Sequence, residues 1–152
     1  MKISSTAFED GGSIPDEFSK EGGNHQPPLQ FEDVPAEAKS LALIVDDPDA
    51  PNGTFTHWLA YNIPPATRAV GEGSEAVSMQ QAWNDFGQAQ YSGPKPPFGE
   101  HRYYFKLYAL DDQITLSRGS SRLDMEEAML GHVISVAGYM GRFAAHAMAG
   151  AA

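Results

Sequence analysis

The apolar positions of this chain fall into runs with distinct rhythms, and each rhythm predicts an element. Leu41-Ala-Leu-Ile-Val45 is apolar throughout, then meets Asp46, Asp47 and Asp49 with Pro48 and Pro51 interleaved. Such a run, bounded by Asp and Pro, predicts a strand buried on both faces. Proline lacks an N–H and has a fixed φ, so the ladder ends there and the carboxylates sit where a core strand surfaces. Asn52-Gly53 marks a turn. From Thr54 to Ile63 the pattern alternates until Pro64-Pro65 stops it: Phe55, His57, Leu59 and Tyr61 share one face, and Thr56, Trp58, Ala60 and Asn62 the other. Two strands joined by so short a loop predict an antiparallel pair. His101 to Leu110 predicts a third strand. Its apolar parity is His101, Tyr103, Phe105, Leu107 and Ala109, while Arg102, Tyr104, Lys106 and Tyr108 face partly to water.

Weaker patterns fill the rest. Lys2 to Phe8 alternates as a short first strand, Asp10 to Asn24 reads as loop, and Pro27 to Phe31 reads as extended. Val34 to Ala38 is a turn feeding the central strand, and Val77 to Gln80 predicts a short strand. Tyr91 to Gly99 holds three Pro and two Gly. It is longer than a hairpin connection, and ordered loops of that kind tend to carry function. Asp124 predicts a helix N-cap with Glu127 three residues on, and Met125, Ala128, Met129, His132 and Val133 follow helical spacing. Residues 133–143 fit helix or strand; Gly138 and Gly141 weaken a helix, so a final strand is expected. The Ala/Gly-rich tail from His146 reads as frayed. The sum is one mainly-β domain over residues 1–152, a sandwich with a late helix.

Composition narrows the function. The chain has 152 residues, 41% hydrophobic and 20% charged, with a formal net charge of -10 and a pI of about 4.7. That is enough chain for one domain with a core. Only ten Lys and Arg are present, and they are scattered, so there is no basic stripe for nucleic acid. Cys is absent, which excludes disulfides, thiolate metal sites and thiol nucleophiles. No apolar run is long enough to span a membrane, and the N-terminus has no apolar signal region, so a cytoplasmic location is expected.

Chemistry concentrates at three strand ends. Asp47 and Asp49 follow the first strong strand, His57 starts the second, and His101 opens the third after the Pro-rich loop. If these strands are neighbours, one carboxylate and two imidazoles converge. The carboxylate then favours a protonated imidazole near neutral pH, and the site would hold an anion. The plainer alternative stands beside it: a lone His on an apolar face also serves as a core residue, and Asp-Pro-Asp also serves as turn chemistry. Asn84-Asp85-Phe86-Gly87 reads first as a turn, His25 and His146 as solvated, His132 as a late-helix residue facing the negative end, and Asp46 as strand-end solvation. No HxH or HExxH pair supports a metal site, and no G-x-S-x-G elbow supports a Ser nucleophile; Ser92 is the nearest candidate.

Asp47-Pro-Asp-Ala-Pro51, His57-Trp58 with Tyr61-Asn-Ile-Pro64, Tyr91-Ser-Gly-Pro-Lys-Pro-Pro97 and Gly99-Glu-His-Arg-Tyr103 resemble the signature of the phosphatidylethanolamine-binding protein family. Asn84-Asp85-Phe86-Gly87 is similar to its bacterial and archaeal, Raf kinase inhibitor-like branch. The likeness runs from about Pro27 to Phe143. It implies a large antiparallel sheet packed on a smaller one, one or two helices near the C-terminus, and a small anion pocket at one end of the main sheet. Carried over residue by residue, that pocket comprises Asp47, His57, His101 and Tyr103, shaped by Asp49, Pro51, Pro97, Gly99 and Glu100, with Trp58 and Arg102 in structural roles. Gln26 and Phe31 stand where the branch has Ser and Trp, and Gln90 precedes Tyr91 where it has Gly. The eukaryotic members' closing C-terminal helix has no counterpart, which implies a more open site or one closed by a second copy in a homodimer.

The expected function is non-catalytic binding of a small phosphate-, phosphoethanolamine- or carboxylate-bearing ligand, with no cofactor and no metal. The alternatives are a protein-interaction role, as a kinase or protease inhibitor, and a hydrolase using His57 or His101.

Overall fold

The five-residue apolar run lies in a strand that is buried from end to end. The computed structural model describes residues 1–71 and 74–145. In chain order these form β1 (Lys2–Ser4), β2 (Gly12–Ser13), a 3-10 turn (Asp16–Phe18), β3 (Leu29–Glu32), β4 (Ser40–Asp47), β5 (Phe55–Ile63), β6 (Ala69–Val70), β7 (Gln80–Ala82), β8 (Glu100–Leu110), α1 (Arg122–Met129) and β9 (Val133–Ala144). The strands make a small sheet in the order β1-β3-β6 and a large one in the order β2-β9-β8-β4-β5-β7. Neighbours are antiparallel except β2, which runs parallel to β9. The fold is the mainly-β sandwich that the sequence predicts.

β4 is central because both its faces are covered. Leu41, Leu43 and Val45 point into the core between the sheets and meet Leu29, Phe31 and Val70 of the small sheet. Ala42 and Ile44 point the other way, into a second core closed by Met125 and Met129 of α1. Full burial of side chains of this size contributes roughly 1.5–3 kcal/mol each. The parity of β8 also holds: His101, Tyr103, Phe105, Leu107 and Ala109 are buried and Arg102 is exposed. Residues 133–143 are strand, paired along β8 from Leu110↔Val133 to Glu100↔Ala144. Gly141 admits this packing, since a Cβ there would stand 2.4 Å from Ile14 Cγ1 and 2.7 Å from Phe8 Cε2.

Several boundaries differ from the sequence reading. β1 ends at Ser4, well short of Phe8, and the short strand expected at Val77–Gln80 lies at Gln80–Ala82, beside β5. The helix starts three residues early. Ser121 is its N-cap, and the Ser121 N–H donates to Asp124 Oδ2 at 2.9 Å, so Asp124 closes a capping box instead of beginning the helix. His132 lies beyond the helix, where its Nδ1 meets Asp111 Oδ1 at 2.7 Å. The tail from His146 lies outside the described residues. No helix among the described residues is long and apolar enough to cross a membrane.

The difference that matters most is in β5. On β4, Val45 pairs with Trp58 but Asp46 pairs with Thr56, so His57 is an extra residue in the ladder. A bulge inserts one residue and reverses the facing of those beyond it. Strict alternation puts His57 with Leu59 and Tyr61, which belong to the α1-side core. The bulge instead sends His57 to the opposite face, its ring 5.2 Å from that of Tyr103. Thr56 swaps with it, and its Oγ1 accepts from Arg122 at 3.2 Å on the α1 side.

Candidate functional site

The ends of β4, β5 and β8 bring Asp47, His57 and His101 into one cleft of about 560 Å³. Asp47 and His101 form a buried pair, with His101 Nδ1 donating to Asp47 Oδ2 at 2.6 Å. The other Asp47 oxygen, Oδ1, accepts the Asp49 N–H at 2.8 Å, an Asx turn that fixes the carboxylate as the chain leaves the sheet. His57 is held from the opposite side. Its Nδ1 lies 2.7 Å from the Ser92 carbonyl oxygen, an acceptor, so the proton is on Nδ1 and Nε2 is the nitrogen left for the cleft.

The electrostatics of the two imidazoles differ. Burial pushes the His57 pKa down from 6.5, and the Ser92 carbonyl and the Asp47 charge only partly oppose it. His57 is therefore neutral near pH 7. The burial cost of the charged form outweighs the attraction of a carboxylate already engaged by His101.

Asn84 organises the wall behind His57. Its Nδ2 donates to His57 O (3.1 Å), Gln90 O (2.9 Å) and Ser92 Oγ (3.0 Å), and its Oδ1 accepts the N–H groups of Phe86 (2.9 Å) and Gln88 (3.1 Å). The Asn-Asp-Phe-Gly stretch is thus a turn, as read, but one whose Asn is buried and ties the β5 strand to the Pro-rich loop. Phe86, at the same turn, packs edge-on against Phe55 at 4.7 Å and His57 at 5.5 Å, and lines the cleft.

The predicted site residues divide. Asp47, His57, His101, Pro51 and Pro97 line the cleft. Tyr103 is a buried floor beneath His57. Its hydroxyl is the buried side-chain atom without a hydrogen-bond partner among the described residues, and burial, with the Asp47 charge, pushes its pKa up. Asp49 faces away and takes Arg102 through both oxygens, at 2.9 and 2.7 Å. That hydrogen-bonded guanidinium holds the Asp49 carboxyl down at about 2. Gly99 and Glu100 line a neighbouring depression with Phe98 and Arg142, sharing only His101 with the cleft. Asp85, Phe55, Phe86 and Lys95 also line the cleft. The sequence reading did not assign these to the pocket, although Asp85 and Phe86 lie in the turn and Lys95 in the Pro-rich loop it flagged.

Trp58 is structural, fully buried with its Nε1 donating to Gln81 Oε1 at 2.7 Å. Asp46 is the clearest correction. It is 1% exposed, not solvated, and its Oδ2 meets Arg122 at 2.7 Å and Lys106 at 2.9 Å on the α1 face of the sheet. Ser92 is fully buried, its Oγ engaged by Asn84 and Gln88, so it presents no nucleophile to the cleft. Among the described residues no three His, Asp or Glu side chains are grouped to hold a metal ion.

A two-sheet β-sandwich with a carboxylate–imidazole pair and a second imidazole at one end of its large sheet defines a class of β-proteins with a small polar cleft. The family model for phosphatidylethanolamine-binding protein matches residues 4–144, and the chain belongs to that family. It is 46% identical over 148 residues to a UPF0098 protein of Methanothermobacter thermautotrophicus, covering 94% of this chain and 98% of that one. Among solved structures it is similar to the phosphatidylethanolamine-binding protein homolog CT736 of Chlamydia trachomatis. The TM-score is 0.89 and the identity 41%, with 95% of this chain and 97% of that one covered. YbcL of Escherichia coli, described as a member of the mammalian family, gives a TM-score of 0.87 at 28% identity over 95% and 98% of the two chains.

Proposed function

We propose that the cleft binds a small anionic group, phosphate- or carboxylate-bearing, without chemical turnover. The observation that carries this reading is the convergence of the buried Asp47–His101 pair and His57 on one cleft, each ring fixed through Nδ1. Both imidazoles then offer Nε2 to the same ligand, one backed by a carboxylate and one by a carbonyl. A neutral His57 accepts a hydrogen bond, so an anion binds there with a proton: either the ligand brings an acidic O–H, or the ring takes up H⁺ on binding. The engaged Ser92 hydroxyl fits a binding role, because a hydrolase would need a nucleophile or a bound water positioned by a base. The small contact area implies weak affinity for a bare headgroup.

Titration with inorganic phosphate, followed by backbone and imidazole NMR shifts, tests this reading. Shifts at His57, His101 and the Asp85–Phe86 turn are expected, and they are lost in His101→Ala. Unchanged spectra at ~10 mM phosphate, a range in which even a weak headgroup site fills, refute it.

A further inference from the structure

The turn between β4 and β5 carries Asn52-Gly53 along one wall of the cleft, and both residues are exposed. We infer that Asn52 is a site of spontaneous deamidation, through which the ageing chain gains a carboxylate on the cleft wall.

The reaction needs water alone as co-reactant. The Gly53 backbone nitrogen, once base has taken its proton, attacks Asn52 Cγ. A C–N bond forms, the bond from Cγ to Nδ2 breaks, and Nδ2 takes up a proton and leaves as ammonia. The product is a five-membered cyclic imide. Water then adds at one of the two imide carbonyls and opens the ring, either to aspartate or to isoaspartate with the backbone routed through the side chain. The net change is one water in and one ammonia out, with no oxidation or reduction.

Three observations single out Asn52. First, its amide is untethered. Asn24 holds the Tyr91 carbonyl and the Gly93 N–H, Asn62 holds the carbonyl and the N–H of Ile114, and Asn84 is buried in the wall behind His57. These are the other asparagines of the chain. The Asn52 side chain makes no hydrogen bond among the described residues.

Second, the attacking nitrogen is weakly held and open to approach. The Gly53 N–H donates to the Ala50 carbonyl at 3.3 Å, beyond the roughly 2.7–3.2 Å of a good amide bond. A Cβ on Gly53 would meet nothing within 4 Å, so the residue after Asn52 puts no obstacle in the path of the side chain. The other three asparagines precede His25, Ile63 and Asp85, each with a side chain in that place.

Third, the turn itself demands the reactive pair's glycine. Gly53 has φ 103°, a conformation strained for any residue with a Cβ. The lability therefore comes with the connection that returns the chain from β4 to β5.

The product carboxylate joins Asp47 and Asp85 on the cleft lining. For an anion in the cleft it is a further repulsive charge. That consequence rests on the anion-binding reading; the modification does not.

The test incubates the full chain, folded and in urea, at about pH 6 and about pH 8 and follows its tryptic peptides by mass spectrometry. In the folded chain Asn52 is expected to convert at least about tenfold faster than Asn24, Asn62 or Asn84, with a rate that rises about tenfold per pH unit as the deprotonated amide does. Its folded rate is expected to lie within about tenfold of its rate in urea, because no local opening has to precede attack. Conversion no faster than at the other asparagines, or slowed about a hundredfold by folding, overturns the inference. NMR titration with inorganic phosphate reads the effect on the cleft: Asn52→Asp is expected to bind about threefold to tenfold more weakly than the uncharged Asn52→Ser. Equal affinities overturn the effect on the cleft. A wild-type chain that binds no phosphate overturns the anion-binding reading, and the mass spectra still decide the modification.

Discussion

At the scale of single residues, two adjacent aspartates stand back to back on β4, and only one of them belongs to the cleft. Asp46 and Asp47 are neighbours on β4 and both are buried, yet they point to opposite faces and do different things. Asp47 fixes the His101 ring in the cleft, and Asp46 gathers Arg122 and Lys106 beneath α1. The sequence reading singled out Asp47, His57 and His101 through strand ends and motif order, and the three line one cleft, but it read Asp46 as solvated. Two cations distant in the chain, Lys106 and Arg122, make its burial tolerable, and no local pattern announces such a partner. The state of His57 was likewise illegible, because it depends on how deeply a bulge seats the ring. A consequence can be measured with sulfate, which does not titrate near neutrality. Binding to a neutral His57 takes up one proton, so sulfate affinity is expected to rise as pH falls from about 8 to 6, by up to about tenfold per unit. Calorimetry in buffers of different ionisation enthalpy reads that proton directly. His57→Ala is expected to flatten the profile, and a pH-independent wild type contradicts the neutral ring.

At the scale of elements, the strong strands were legible and the weak ones were not. β4, β5 and β8 carry long apolar or alternating runs, whereas β2 and β6 are two-residue pieces whose pairing is set by what they pack on. α1 was recognised, but its start was misplaced because Asp124, a good cap by type, serves as the third residue of a capping box led by Ser121. Only Met125 and Met129 of this helix are buried, so tertiary contacts hold it in place. Arg122 is the polar tie: it reaches Asp46, Thr56 and Glu126. Arg122→Ala leaves Asp46 with Lys106 alone. It is expected to cost about 1–3 kcal/mol in urea unfolding and to raise amide exchange across α1 ahead of β4, while phosphate affinity stays within about twofold. Exchange that rises uniformly over the sheet would show that the helix is not separately tied.

At the scale of the whole molecule, the acidic balance and the depressed groups predict a direction for stability. His57 has a folded pKa below its ordinary 6.5, so the unfolded chain takes up that proton first as pH falls. Its contribution is fully present above about 6.5 and is lost as pH drops toward the folded value. Asp49 acts in a lower window, from 3.8 down to about 2, weakened by solvent at its partner Arg102. Urea midpoints are therefore expected to fall between about pH 7 and 5, and to fall less in His57→Gln. A parallel decline in both proteins would assign the loss to other groups.

The clasp between the N-terminal segment and the Pro-rich loop reaches further than its few bonds suggest. Gly93 lies so close to this segment that a Cβ there would stand 2.0 Å from the Phe18 carbonyl oxygen, and Tyr91 Oη donates to that same oxygen at 2.7 Å. The Asn24 amide reaches the Tyr91 carbonyl across a separation of 67 residues. Ser92, which orients His57, sits between these contacts. The geometry of the cleft is therefore written in long-range closures, each of which must overcome chain entropy. A chain with its sheets paired but this clasp open would have strands and no oriented His57. An anion bound as proposed would meet its site only with the clasp closed, and by mass action would stabilise the folded state alone.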